Sequence, residues 1–418
     1  MEIRITPAPL RGTVAAVPSK SAAHRILILS ALCARPTRLA LGGTNDDIEA
    51  TRRCLTALGC AFRPLEGGLE ILPGPRPQQP PLLDCGESGS TLRFLLPVAA
   101  ALGCGGVFVG KGRLPQRTIA PLVGQLCAHG CTADRPDGLP LHLGGRLTPG
   151  EFVLPGDVSS QFVTGLLLAL PLLPGPSTVR LTSPLQSRSY VDLTVGLMRR
   201  FGLEVQAGGD CWNIAGNQTC QSPGTLAAEG DWSGAAFWLA AGALGGDILC
   251  TGLDPASAQG DKAIVTSLEQ MGAPCRPENG GLRSCGRVCR GLRADVSQTP
   301  DLAPVLAALG AAAGESRLTG GARLRTKESD RLAAAADGLR ALGCPAEELP
   351  DGLVLHGGGP LPGGTADAWG DHRMAMALAV AACACTGPVV IRGAEAVAKS
   401  YPAFWEEYRR LGGKIDVL

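Results

Sequence analysis

Four stretches of the chain carry side chains able to hold anions or move protons. The first is Pro18-Ser19-Lys20-Ser21-Ala22-Ala23-His24-Arg25. Its serines and lysine stand where a helix would begin, with Arg25 just over one turn beyond Ser21. Hydroxyls, free backbone N–H groups and the positive helix end would together seat a phosphate or carboxylate. A capped helix with a solvated lysine has the same spelling, and the GxxxxGK(S/T) of a nucleotide-binding loop is absent. His24 reads as structural. The second stretch, Gly86-Glu87-Ser88-Gly89-Ser90-Thr91-Leu92-Arg93, lets an anion approach the backbone and offers Arg93 as a planar fork. Gly112-Arg113-Leu114-Pro115-Gln116-Arg117 adds two arginines in a Gly/Pro loop. The third combines Ser159-Ser160-Gln161 with Ser187-Arg188-Ser189-Tyr190, groups that suit a polyhydroxylated phosphate ester, although ordinary helix caps would account for them. The fourth is Arg325-Thr326-Lys327-Glu328-Ser329-Asp330-Arg331. On a helix, Lys327 and Arg331 would share a face at i,i+4 with Glu328 beside it. A carboxylate among cations serves as acid or base while the cations hold an anion; a salt-bridged helix start is the alternative. Asp371-His372-Arg373 opens another expected helix, and Lys399-Ser400-Tyr401-Pro402 supplies a last lysine.

The rest of the chain makes these clusters stand out. Lys plus Arg number 38 and Asp plus Glu 37, a net charge of +1 over 418 residues. Bulk electrostatics therefore hold it neither to nucleic acid nor to an anionic membrane, and any anion must be gripped locally. Lys20, Arg25, Arg93, Arg117, Arg188, Lys327, Arg331, Arg373 and Lys399 all fall in Gly/Ser-rich turns at helix starts, as a site for two small, multiply charged anions would require. The sixteen cysteines are scattered, with no second pair at zinc-binding distance, and read as reduced thiols with no structural metal. The N-terminal MEIRITPAPLRG has no apolar signal core, and the charge-free run Val158–Val179 is broken by Gly165, Pro171, Pro174 and Pro176. Both point to a cytoplasmic protein with a buried helix there rather than a membrane span.

The elements that must position these residues recur. Gly59, Gly130, Gly202, Gly272, Gly343 and Gly412 each follow a helical segment with Leu or Met near its end, at spacings of 69 to 72 residues. Each fits a helix C-terminus, where glycine enters the left-handed region without a Cβ penalty. Alternating segments separated by turns such as Gly67-Gly68, Asp137-Gly138 and Asp351-Gly352 follow several copies. Six helix starts, near residues 18, 86, 156, 230, 299 and 370, run in register with the glycines; the one at Gly230-Asp231-Trp232-Ser233 reads as a plain cap. The chain is thus α/β, with six copies of a unit too small to close a core alone. Three copies around a pseudo-threefold axis would close one, giving two similar domains with a cleft between them.

These stretches in this order resemble the 5-enolpyruvylshikimate-3-phosphate synthases, the enolpyruvyl transferases of the shikimate pathway. SKSxxxR, GxSGSTxR, SSQ, KESDR, DHRMAMA and KSYP occur in series from Pro18 to Pro402. The resemblance implies two domains of three βαβαββ units each, placed at 1–18 plus 229–418 and at 19–228, closing over substrate held in the interdomain cleft. It implies transfer of the enolpyruvyl group of phosphoenolpyruvate to the 5-hydroxyl of shikimate 3-phosphate, with release of phosphate through a tetrahedral intermediate. No metal, cofactor or covalent enzyme intermediate is implied, and a monomer is expected. Lys20, Ser21, Arg25, Ser159, Ser160, Gln161, Ser187, Tyr190, Asp301 and Lys327 are the implied shikimate 3-phosphate ligands. Lys20, Gly89, Arg117, Gln161, Arg331, Arg373 and Lys399 are those for phosphoenolpyruvate. Asp301 is the implied base toward the hydroxyl. Glu328 is the implied proton donor to the methylene carbon, with Lys20 as its competitor.

Two departures stand out. Glu87 replaces an asparagine common in the family, and its carboxylate would repel phosphoenolpyruvate unless paired, with Lys20 or Arg117 for instance. Arg188 and Ser189 stand where many relatives have Lys and Pro. The related transferase acting on UDP-N-acetylglucosamine is the nearest rival, but GKGRLPQRTIAP lacks the cysteine of its loop. A non-catalytic anion-binding module is the other, and it would have no use for Asp301 and Glu328 among cations.

Overall fold

The periodicity becomes six copies of one supersecondary unit in a computed structural model that describes every residue from Met1 to Leu418. The copy over residues 82–145 is representative. Strand Leu82–Asp84 leads through a helix to Gly106–Val109, which it pairs in parallel. A second helix leads to Cys131–Ala133 and Leu141–Gly145, which complete the sheet by antiparallel pairing. All six sheets have four strands and this same pattern of one parallel and two antiparallel pairs.

By chain contacts the molecule divides into two units, one of Lys20–Ala228 and one of Met1–Ser19 with Glu229–Leu418. In the first, the helices are α1 (Lys20–Leu32), α2 (Asp46–Ala57), α3 (Gly89–Ala101), α4 (Ala120–Ala128), α5 (Ser160–Ala169) and α6 (Arg188–Arg200). In the second they are α7 (Trp232–Gly242), α8 (Ile264–Gln270), α9 (Ala303–Ala313), α10 (Arg331–Ala341), α11 (His372–Ala382) and α12 (Phe404–Arg410). Each unit borrows a strand from far along the chain. Thr225–Ala227 pairs with Thr37–Ala40 in the first. In the second, Glu2–Thr6 lies between Val389–Arg392 and Lys414–Val417.

The odd-numbered helices form the two cores. α3, α5, α7, α9 and α11 are buried almost all round, which is why they read as continuous Ala, Leu and Gly runs rather than amphipathic stripes. Small residues let these helices approach closely, so few aromatics are needed to fill the interior. The even-numbered helices end at the repeated glycines, and all six of those glycines have φ between 74 and 101°. The run around Val158–Val179 is a buried helix, α5, followed by a short 3-10 turn, and no helix is long and apolar enough to cross a membrane. All sixteen cysteines are free thiols.

One expected element differs. Lys327, Glu328 and Arg331 do not share a helix: a 3-10 turn covers Ala322–Thr326, Lys327 is extended, and α10 begins only at Arg331. Asp330 decides this by capping α10, its carboxylate accepting from the Ala333 N–H at 3.2 Å. The preceding residues are free to turn their side chains back.

Candidate active site

In the Lys20–Ala228 unit, the N-terminal ends of α1, α3 and α5 carry the sequence-singled residues. Arg25, 2% exposed, donates through Nε to Thr194 Oγ1 (2.7 Å), through Nη1 to the Ser21 carbonyl (2.6 Å) and through Nη2 to the Tyr190 carbonyl (3.0 Å). It thereby ties Ser21 to the start of α6. Burial pulls its pKa down to about 9. Ser187 precedes α6 with φ 57°, a region sparsely used by residues with a Cβ. Ser159 caps α5 by accepting from the Gln161 N–H (3.3 Å), next to the buried Ser160. Gln161 then bridges outward: its Oε1 accepts from Arg93 Nη1 (2.8 Å) and its Nε2 donates to Ser90 Oγ (2.9 Å). Arg93 and the buried Arg117 close over Gly89, where a Cβ would lie 2.8 Å from Arg93 Nη1 and 3.0 Å from Arg117 Cζ. Gly89 is thus the floor beneath two guanidiniums.

Lys20 donates to Asp47 Oδ2 at 2.7 Å. Asp47 was not among the sequence-derived candidates; the Asn45-Asp46-Asp47 run looks like an acidic helix start, which it also is. Glu87 lies against the arginine loop, its Oε2 2.5 Å from where a Cβ of Gly112 would stand, while the Lys111 N–H donates to the Gly86 carbonyl at 2.8 Å. Arg188 departs from the expected cluster: it pairs with Asp210 and donates to the Gly209 carbonyl (3.1 Å).

In the other unit, Arg331 is the hub. Only 1% of its side chain is exposed, and it donates to Asp301 Oδ1, Glu328 Oε2 and Asp371 Oδ2, each at 2.8 Å. Arg373 Nη2 reaches Asp301 Oδ2 at 3.0 Å. Asp371 caps α11 through the Arg373 N–H (2.9 Å) and accepts from Ser329 Oγ (3.0 Å). Lys399 donates to the Gly370 carbonyl at 2.7 Å. Arg331, Asp301, Glu328 and Arg373 therefore form one connected group, with Lys399 tied to the turn that starts α11.

Electrostatics follow from this packing. Burial works to raise the Asp301 pKa, but Arg373, Lys327 and Arg331 together hold it well below the usual carboxylate range. Burial lowers the Lys327 pKa to about 7, against the opposing pull of Asp301. The buried Asp261 is pushed up to about 6 by desolvation and then by Asp301; it hydrogen-bonds Ser233, so the segment read as a plain cap also meets a titratable group near Asp301. One half of the residues can thus bind anions with hydroxyls and guanidiniums. The other offers an ionised carboxylate, a second carboxylate and cations, the equipment for proton transfer beside a bound anion.

The chain is similar to known proteins in sequence and in fold. Residues 5–408 match the family model described as EPSP synthase (3-phosphoshikimate 1-carboxyvinyltransferase). A 3-phosphoshikimate 1-carboxyvinyltransferase of Clostridium kluyveri is 43% identical over 99% of this chain and 98% of its own length, and one of Clostridium acetobutylicum is 39% identical over the same shares. The solved structure of EPSP synthase from Acinetobacter baumannii superposes with a TM-score of 0.82 at 26% identity, covering all of both chains.

Proposed function

The chain belongs to the EPSP synthase family, the 3-phosphoshikimate 1-carboxyvinyltransferases, and from that membership we propose that it moves the enolpyruvyl group of phosphoenolpyruvate onto the 5-hydroxyl of shikimate 3-phosphate and releases inorganic phosphate. It is a transferase, of a family that serves chorismate and aromatic amino-acid biosynthesis. The observation that carries the proposal is the convergence of Asp301 and Glu328 on a buried Arg331 beside Arg373.

In the proposed reaction Ser21, Arg25, Ser159, Ser160, Gln161, Ser187, Tyr190 and Lys327 hold shikimate 3-phosphate. Lys20, Gly89, Arg117, Gln161, Arg331, Arg373 and Lys399 hold phosphoenolpyruvate. Asp301 takes the proton of the attacking hydroxyl as its oxygen bonds to C2 of phosphoenolpyruvate, and Glu328 gives a proton to C3, making a methyl group. The resulting ketal then loses phosphate as the C2–O bond breaks and a methyl proton returns to the protein. An Asp301 paired with two arginines is a weak base. Anionic substrate oxygens drawing on Arg331 and Arg373 would restore its basicity, so substrate binding itself arms the base. The two units are the proposed domains, and the protein is proposed to work in the cytoplasm as a monomer.

A phosphate-release assay with phosphoenolpyruvate tests this. Release with shikimate 3-phosphate and none with UDP-N-acetylglucosamine is expected; the reverse pattern, or release with neither, overturns it.

A further inference from the structure

Four polar side chains with 0 to 1% exposure, His24, Thr51, Thr91 and Ser88, are threaded through the core of the Lys20–Ala228 unit. His24 Nδ1 lies 2.7 Å from Thr51 Oγ1, Thr51 Oγ1 lies 2.7 Å from Thr91 Oγ1, and Thr91 Oγ1 donates to Ser88 Oγ at 2.8 Å. They belong to α1, α2, α3 and the cap of α3. So many buried hydroxyls between three helices are costly unless each bond is made.

The direction of the chain is decided at its ends. Each hydroxyl has one hydrogen; Ser88 Oγ accepts from the Thr91 N–H (3.2 Å), and the Thr91 hydroxyl has a nearer acceptor in Ser88 Oγ at 2.8 Å than in the Asp47 carbonyl at 3.5 Å. At the other end His24 Nε2 is buried without a hydrogen-bond partner. A proton there would be an orphaned donor, buried with nothing to receive it. A proton on Nδ1 instead donates to Thr51 and leaves only a lone pair at the buried Nε2 of a ring that lies T-shaped to Phe94, centroids 6.4 Å apart. The hydrogens then all run one way, from the imidazole to Ser88.

We propose that His24 and Thr51 are positioning residues: a neutral, Nδ1-protonated His24 starts a one-way hydrogen-bond chain that locks the first turn of α3, carrying Gly89, to the start of α1, carrying Lys20. Charging the ring is opposed by burial and then by Lys20 and Arg25 on its own helix, which keep its pKa well below 6.5. α2 presents it Thr51 and α3 presents it Phe94, neither of which titrates near neutrality. Asp47, one turn before Thr51, holds Lys20, so α2 is fastened to α1 at two points. The assignment of a positioning role rests on the proposed reaction, because Lys20 and Gly89 are proposed phosphoenolpyruvate ligands; the tautomer does not.

Two measurements test it. Two-bond ¹H–¹⁵N spectra of histidine-labelled protein, with the His24 signals assigned by their loss in His24→Gln, should show the neutral Nδ1–H form unchanged from about pH 8 to about pH 5.5. Steady-state kinetics of Thr51→Val, a near-isosteric change that breaks the chain, should show the KM for phosphoenolpyruvate raised about tenfold with kcat changed less than about threefold; Thr51→Ser, which restores the hydroxyl, should recover it. An Nε2–H tautomer, a His24 that titrates in that range, or an unchanged KM in Thr51→Val would each overturn the proposal. Should Thr51→Val fail to fold, the wild-type spectra and the same kinetics on Thr51→Ala, which also lacks the hydroxyl, still decide. Should the wild type release no phosphate, the proposed reaction falls while the tautomer result stands on its own.

Discussion

Arg331 Nε stands 2.8 Å from Asp371 Oδ2, and neither side chain is more than 1% exposed. Two further carboxylates share the same guanidinium, so Asp371 holds the plane of the fork while Asp301 and Glu328 take the outer nitrogens. The pair is therefore a mount for the two carboxylates proposed to react. Asp371→Ala should leave a buried cation short of charge and cost about 3 kcal/mol in urea unfolding. Burial raises the Asp371 pKa, but Arg331 outweighs it and the net shift is downward. Its stabilisation is thus present above the unfolded carboxylate range and lost as pH falls through the folded value. The variant should accordingly lose less stability relative to wild type at about pH 3 than at about pH 7. Equal losses at both would reject this account.

Asp301 and Glu328 should divide the two proton transfers. Asp301→Asn and Glu328→Gln keep the shape and remove the acid–base function, so each should lower kcat by about 10²–10⁴-fold with far smaller changes in KM. Steady-state phosphate release measures both numbers. A variant retaining more than about a tenth of the wild-type kcat would take that residue out of the chemistry.

Lys327 should take up a proton when shikimate 3-phosphate binds. Its pKa near 7 leaves it mostly neutral at about pH 8, and an adjoining phosphate stabilises the charged form. Titration calorimetry in buffers of different ionisation enthalpy should show about one proton absorbed per ligand at about pH 8 and almost none at about pH 6. Lys327→Met should abolish the uptake. As with Asp371, the lowered pKa makes stability rise with pH, here in a higher window: a lysine with a lowered folded pKa penalises folding at low pH and ceases to do so as pH rises through 7 toward 10.

Gly89→Ala should fold and bind poorly. The added Cβ meets the far ends of two flexible arginines rather than backbone, and alanine suits a first helical turn. Unfolding free energy should change by less than about 1 kcal/mol while the KM for phosphoenolpyruvate rises about tenfold, because Arg93 and Arg117 must both shift. A wild-type KM would show that their placement over Gly89 is immaterial.

How much of this was legible beforehand depended on range. The six glycines after the even-numbered helices were readable because a left-handed residue at a helix end is a local backbone requirement, met within two or three residues. The serine and aspartate caps were readable for the same reason. What was missed involved partners from elsewhere. Lys327 and Glu328 were expected on a helix, and Asp330 instead capped that helix after them. Arg188 looked like one of the site cations until Asp210 claimed it. His24 read as structural and is indeed fully buried, but its spelling says nothing of its partner Thr51, which comes from 27 positions further on. The amino-acid order by itself determined the repeated unit and which short segments cap and open its helices, since backbone conformation and capping are decided among near neighbours. Only the packed structure decided which carboxylate meets which cation, since burial strengthens a charge contact or a hydroxyl chain only after distant helices have excluded water from it.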